Sequence, residues 1–103
     1  MKTDKKYTSL EAVVNVEGGL AMTASYNIVK ECKKYDRDIY FVRNDQYADC
    51  KSILALMSFG AEQGAELKIL VEGEDEISKR IASRLYSAVT SKDKYSMRFE
   101  DEI

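Results

Sequence analysis

Residues 51–76, KSILALMSFGAEQGAELKILVEGEDE, change their apolar spacing twice, and those changes decide the fold. The stretch from Ser52 to Phe59 is short and apolar and stops at Gly60, which predicts a short helix with a glycine end. In ELKILVE, Leu67, Ile69 and Val71 alternate with charged residues, the period of a strand with one buried face. Beyond EGEDE, Ile77, Ile81, Leu85 and Ala88 or Val89 recur at helical spacing. Asp75 and Glu76 stand at the start of that helix, with Lys79 and Arg80 after them, so the charge order agrees with the helix dipole.

The upstream half supplies the complementary pieces. Leu10, Ala12, Val14 and Val16 alternate with Ser9, Glu11, Val13 and Asn15, which predicts a strand ended by Gly18 and Gly19. Ala21, Ala24, Ile28, Cys32 and Tyr35 then recur at helical spacing, with Lys30, Lys33 and Lys34 left for water. RDIYFVRNDQYADC, residues 37–50, predicts two short strands around the turn residues Arg43, Asn44 and Asp45. The order is β-α-β-β-α-β-α. One-faced alternation on each strand implies an α+β protein, with an antiparallel sheet covered by helices on one face. In the tail, Tyr95, Met97 and Phe99 alternate with Ser96, Arg98 and Glu100, the pattern of an extra strand beyond the core domain.

Composition narrows the function. A chain of 103 residues is one domain, large enough for a core without metal or disulfide staples. Its 16 basic and 18 acidic residues are spread along the chain, leaving no basic stripe for nucleic acid. No apolar run approaches a membrane span, and no signal-peptide pattern opens the chain. Two cysteines, Cys32 and Cys50, fit a reducing cytosol. Histidine, tryptophan and proline are absent, so the usual general base near neutral pH is missing. A zinc site would have to combine both cysteines with two carboxylates, and the acidic EGEDE lacks the spacing of a calcium loop; no metal and no cofactor is expected.

Gly18–Ser25, GGLAMTAS, combines the backbone of a binding loop with inert side chains. Two glycines lead into a helix start, where free N–H groups suit an anion. Yet nothing in the stretch can act as acid, base or cationic clamp.

Lys51–Glu76 closely resembles the phosphocarrier HPr family of the bacterial sugar phosphotransferase system. The resemblance rests on Lys-Ser-Ile before the short helix, Gly-Ala and a later Gly after it, a strand, and then Gly-Glu-Asp-Glu. It runs from about Leu10 to Val89. It implies an open-faced β-sandwich, a four-stranded antiparallel sheet with three helices on one face. Residues 1–90 would form this domain and 91–103 a C-terminal extension. In the family a Gly-Leu pair leads into His-Ala-Arg-Pro-Ala, whose histidine carries a phosphoryl group from enzyme I to a sugar permease component. Here Gly19 and Leu20 match. Ala21 stands in the histidine position, Thr23 in the arginine position and Ala24 in the proline position, while Met22 and Ser25 also depart. The resemblance therefore implies a protein-binding or regulatory module of phosphotransferase-system type, not an enzyme and not competent for histidine phosphoryl transfer. The alternatives are a structural or dimerisation domain, or a phosphocarrier acting through another residue.

The candidate site residues follow. Gly19, Leu20 and Thr23 either hold an anion through the first turn or merely shape an inherited strand-to-helix turn. Ser52 is either a plain N-cap or a regulatory phosphorylation site. By resemblance to Gram-positive HPr and to Crh-type proteins, HPr kinase would modify it and a transcriptional regulator would bind the product. Ile53, Leu54, Met57 and Phe59 form the expected partner-binding cluster, on a helix that must also pack on the sheet. Cys50 beside Lys51 is either reactive or small-residue packing, and Cys32 lies on the core stripe. Tyr7, Tyr40 and Tyr47 suit either an interface or a solvent-facing sheet surface. The expected partners are proteins: HPr kinase, a regulator, a phosphotransferase-system component, or a second copy through the tail. The expected location is the cytoplasm, without membrane or nucleic-acid contact.

Overall fold

In the computed structural model, residues 5–92 are described. The elements are β1 (Tyr7–Val13), α1 (Met22–Cys32), β2 (Ile39–Arg43), β3 (Gln46–Asp49), α2 (Ile53–Phe59), β4 (Glu66–Glu72) and α3 (Glu76–Thr90). The strands form one antiparallel sheet in the order β1-β4-β2-β3. The expected order and architecture are present. The tail residues Tyr95, Met97 and Phe99 lie outside the described residues.

The strand pattern separates the two faces. Ala12, Leu67, Ile69, Val71, Ile39 and Phe41 are buried on the helix side. Ser9, Glu11, Val13, Glu66 and Lys68 are exposed on the other side. α3 packs on β1 and β4, and α2 packs on β3 and α1. Side chains such as Ile28, Phe41, Ile69 and Leu85 are fully covered, each contributing about 1.5–3 kcal/mol over an exposed position.

Element ends have local causes. Gly60 takes the left-handed backbone (φ 63°) and its N–H closes α2 onto the Leu56 carbonyl. Asp75 caps α3, its carboxylate accepting from the Ser78 N–H at 3.0 Å. Three boundaries differ from the periodicity. β1 stops at Val13, because Val14 makes one last bond to Ala65 and the Asn15 and Val16 N–H groups turn to the Val89 carbonyl. Val14 and Val16 are buried, but as loop residues. α1 ends at Cys32 rather than Tyr35, whose hydroxyl instead donates to Glu31 at 2.7 Å. Arg43 belongs to β2, leaving Asn44 (φ 55°) and Asp45 as the turn.

Glu31 ties α1 to α3. Its side chain is 2% exposed and lies 3.1 Å from the Lys34 ammonium and 3.2 Å from Arg84. Burial opposes its charge, but hydrogen bonds from Tyr35 and Lys34 and the field of Arg84 outweigh burial and hold the carboxyl below its ordinary value.

Candidate functional site

The start of α1 is fixed by backbone. Gly19 has φ 66°, and a Cβ there would meet the Ala61 carbonyl oxygen at 2.6 Å and the Glu62 Cα at 2.9 Å. Only glycine permits that approach. Leu20 is buried, and its N–H donates to the Ala61 carbonyl at 2.8 Å. The loop that follows α2 thus holds the entrance to α1.

This contact corrects part of the anion expectation. The Gly19 N–H already donates to Val16 and the Leu20 N–H to Ala61, so neither is available to a ligand. What remains is the first turn of α1. Ala21 is its N-cap, in extended backbone and with no side-chain cap, and the Ser25 N–H is the first to close onto the Ala21 carbonyl. The Met22, Thr23 and Ala24 amides precede that bond, as at any helix start. Thr23 is exposed. Ser25 is buried, and its hydroxyl donates to the Leu20 carbonyl at 3.1 Å, holding the loop rather than facing outward.

The start of α2 is fixed by a side chain. Ser52 has an extended backbone, and its hydroxyl oxygen accepts from the Ala55 N–H at 3.1 Å. Its own N–H donates to the Asp49 carbonyl at 3.0 Å. Asp49 is engaged as well, accepting from the Lys51 N–H at 2.9 Å. Ser52 is half-buried and caps the helix.

The apolar cluster of α2 divides in two. Leu54 is 78% exposed and Met57 39% exposed. Ile53 is half-buried against the core. Phe59 is 3% exposed and cannot meet a partner. Its ring carries the Arg43 guanidinium at 4.7 Å, and Arg43 also donates to the Phe59 carbonyl. The seven-residue helix turns Leu56 and Phe59 inward, so Phe59 moves from the docking list to the core.

Two surface residues were missed by the sequence reading. Met22 and Tyr26 are 65% and 51% exposed on α1, four residues apart. The signal was present. The buried stripe Ala24, Ile28 and Cys32 fixes the helix phase, and Met22 and Tyr26 fall off it.

Other candidates resolve in favour of packing. Cys50 is fully buried with Cys32, and burial pushes its thiol well up, which contradicts a reactive thiolate. The acidic segment is a helix start: Asp75 accepts from Ser78 and pairs with Arg37 at 2.7 Å. Tyr40 and Tyr47 meet edge to face at 6.3 Å, on neighbouring strands and on the side of the sheet away from the core. Among the described residues no group of three metal-ligating side chains forms, and no helix is long and apolar enough to cross a membrane.

A family model described as the PTS HPr component phosphorylation site matches residues 8–92. The chain belongs to the HPr family. Among curated relatives, the phosphocarrier protein HPr of Treponema pallidum (strain Nichols) is 36% identical over 66 residues, covering 64% of this chain and 74% of that protein. The HPr-like protein Crh of Bacillus subtilis (strain 168) is 29% identical over 63 residues, covering 61% and 74% respectively. Two solved structures share the fold. A phosphocarrier protein HPr from Bacillus anthracis aligns with TM-score 0.73 at 23% identity, over 81% of this chain and 96% of that one. HPr-C-His from Thermoanaerobacter tengcongensis aligns with TM-score 0.69 at 21% identity, over 92% and 99%. HPr-family proteins are phosphocarriers of the phosphotransferase system. This member contains no histidine.

Proposed function

We propose that this HPr-family protein does not relay phosphoryl groups through a histidine and acts instead as a cytoplasmic docking and regulatory module of the phosphotransferase system. One observation carries the proposal. The chain has no histidine, and its α1 start keeps the buried Leu20 and the close-packed Gly19 while presenting only the methyl group of Ala21 at the helix cap. Alanine offers no nitrogen to phosphorylate. Thr23, in the position of the family's arginine, offers no positive charge to the transition state.

Docking rests on exposed apolar side chains. Leu54 and Met57 on α2 supply them, with Ile53 half-covered beneath. Ser52, at the head of the same helix, is the regulatory switch in this reading. An HPr kinase transfers the γ-phosphoryl group of ATP to the serine oxygen, releasing ADP and a proton. The new group carries about −1.5 to −2 charges at neutral pH. At a helix start such a charge stabilises by roughly 0.3–1 kcal/mol, too little to refold the domain. Its effect is on the surface, where it adds an anion beside Leu54 for a basic pocket on a transcriptional regulator.

The test is incubation with an HPr kinase and ATP, comparing the protein with Ser52→Ala. Label on the wild type alone supports the switch. Label on both, or on neither, removes Ser52 from the proposal and leaves it a helix cap.

A further inference from the structure

The outer edge of β1 is a row of backbone groups turned away from the sheet. The Val14 N–H donates to Ala65, and the Gly73 N–H donates to Lys6. Combined with the register Tyr7↔Glu72 to Val13↔Glu66, these bonds turn the even-numbered residues of β1 toward β4. The N–H and C=O groups of Ser9, Glu11 and Val13 therefore point outward, on residues that are all exposed. Among the described residues no strand lies beyond β1. Such an edge is a template for another strand.

The chain itself arrives at this edge. The Asn15 N–H, on the same outward side, donates to the Val89 carbonyl at 2.7 Å, which fastens the end of α3 to the segment that continues β1. Ser91, the next residue but one, is already extended, with φ −78° and ψ 140°. A cleft of about 840 Å³ adjoins the edge, with Glu11, Val13, Asn15, Tyr86 and Thr90 in its lining. The 11 residues from 93 to 103 follow. At about 3.3 Å per residue they reach roughly 36 Å, against roughly 23 Å for β1.

We propose that the outer edge of β1 is the docking site of this chain's own residues 93–103, which add to the sheet as a fifth strand antiparallel to β1. Charge and apolar pattern agree with that course. The tail ends in Glu100, Asp101 and Glu102, while Lys5 and Lys6 stand just before β1, Lys5 already paired with Asp38 and Glu72. An antiparallel course thus brings the acidic end of the tail to the basic end of the strand. On the face of the sheet away from the core, Ser9 has Leu70 and then Tyr40 as its neighbours. Tyr95, Met97 and Phe99 would widen the apolar band already formed there by Leu70, Tyr40 and Tyr47.

Amide hydrogen exchange on the full chain tests this residue by residue. The Ser9, Glu11 and Val13 amides should exchange at least about tenfold more slowly than exposed loop amides, at a rate independent of protein concentration. A double substitution, Ser96→Pro with Met97→Pro, removes whichever of the two tail amides faces β1. It should release those three amides while Thr8, Leu10 and Ala12 stay protected, the latter showing that the sheet survives. Lys6→Glu should lower the protection roughly two- to fivefold, as expected for an exposed ion pair. Fast exchange at Ser9, Glu11 and Val13 in the unaltered chain, or protection that survives the double proline, overturns the proposal. So does protection that rises with concentration together with a dimeric mass, which would assign the edge to a second copy.

Discussion

The first two helices of this protein begin in opposite ways. α1 starts at Ala21 with no side-chain cap, and its entry is held by backbone: the positive φ of Gly19 and the Leu20–Ala61 hydrogen bond. α2 starts at Ser52, whose hydroxyl accepts the Ala55 N–H. In the function proposed above, α1 keeps the family's helix entry without its reactive side chains, whereas at α2 the serine proposed for modification also stabilises the helix. A position with structural duty is retained whether or not it is modified, so the presence of Ser52 alone does not establish a switch. Ala21 has no such structural duty, since its side chain makes no cap.

The contrast can be broken most forcefully at the far end of α2. Phe59→Ala should cost about 3–5 kcal/mol in urea unfolding, because the ring is buried. Leu54→Ala, on the same helix but exposed, should change stability by about 0.5 kcal/mol or less while weakening partner binding. Equal losses at the two positions would merge core and docking surface again. Next in size is Gly19→Ala. Its Cβ would press on the Ala61 carbonyl from a left-handed backbone, and a loss of about 2 kcal/mol or more is expected.

Smaller changes sharpen the two helix starts directly. Ser52→Ala should destabilise by about 1 kcal/mol, and Ala21→Ser should stabilise by up to about the same amount. Opposite shifts in the urea midpoint would confirm that one start has its cap and the other lacks one. The third helix start gives the smallest effect. Asp75 is held well below its ordinary value by the hydrogen bond from Arg37 and then by Ser78. A depressed carboxyl stabilises the fold above its unfolded pKa, and that contribution is lost as pH falls toward the depressed folded value. The melting temperature of the wild type should therefore fall more steeply than that of Asp75→Asn below about pH 4. The pair is solvent-exposed, so salt should shrink the difference.

Most of the fold was legible because each element carries its own period. ELKILVE gave β4 to the residue, and Gly60 marked the end of α2, since alternation and a left-handed stop are local properties. The misplaced ends were those set by distant partners. Periodicity places Val14 and Val16 inside a strand, but the Val89 carbonyl takes the next amides and ends the pairing. Tyr35 fits the α1 stripe, but its hydroxyl turns to Glu31 beyond the end of the helix. At the site, the identities of Ala21, Thr23 and Ser52 could be read from the order of residues. Which side of α2 faces out could not, because a seven-residue apolar run has too few polar positions to fix its phase. Phe59 therefore lies in the core where the apolar run alone suggests a surface, whereas the longer α1 stripe does carry the outward phase of Met22 and Tyr26.

The central claim is that no phosphoryl group is carried at the start of α1. The direct measurement is incubation of the purified protein with phosphoenolpyruvate and enzyme I, followed by detection of acid-labile phosphate on the intact chain. None is expected on the wild type. Ala21→His should be labelled only weakly, because Thr23 cannot replace the missing cation, and more strongly when Thr23→Arg is added. Acid-labile phosphate on the unaltered chain would overturn the proposed function.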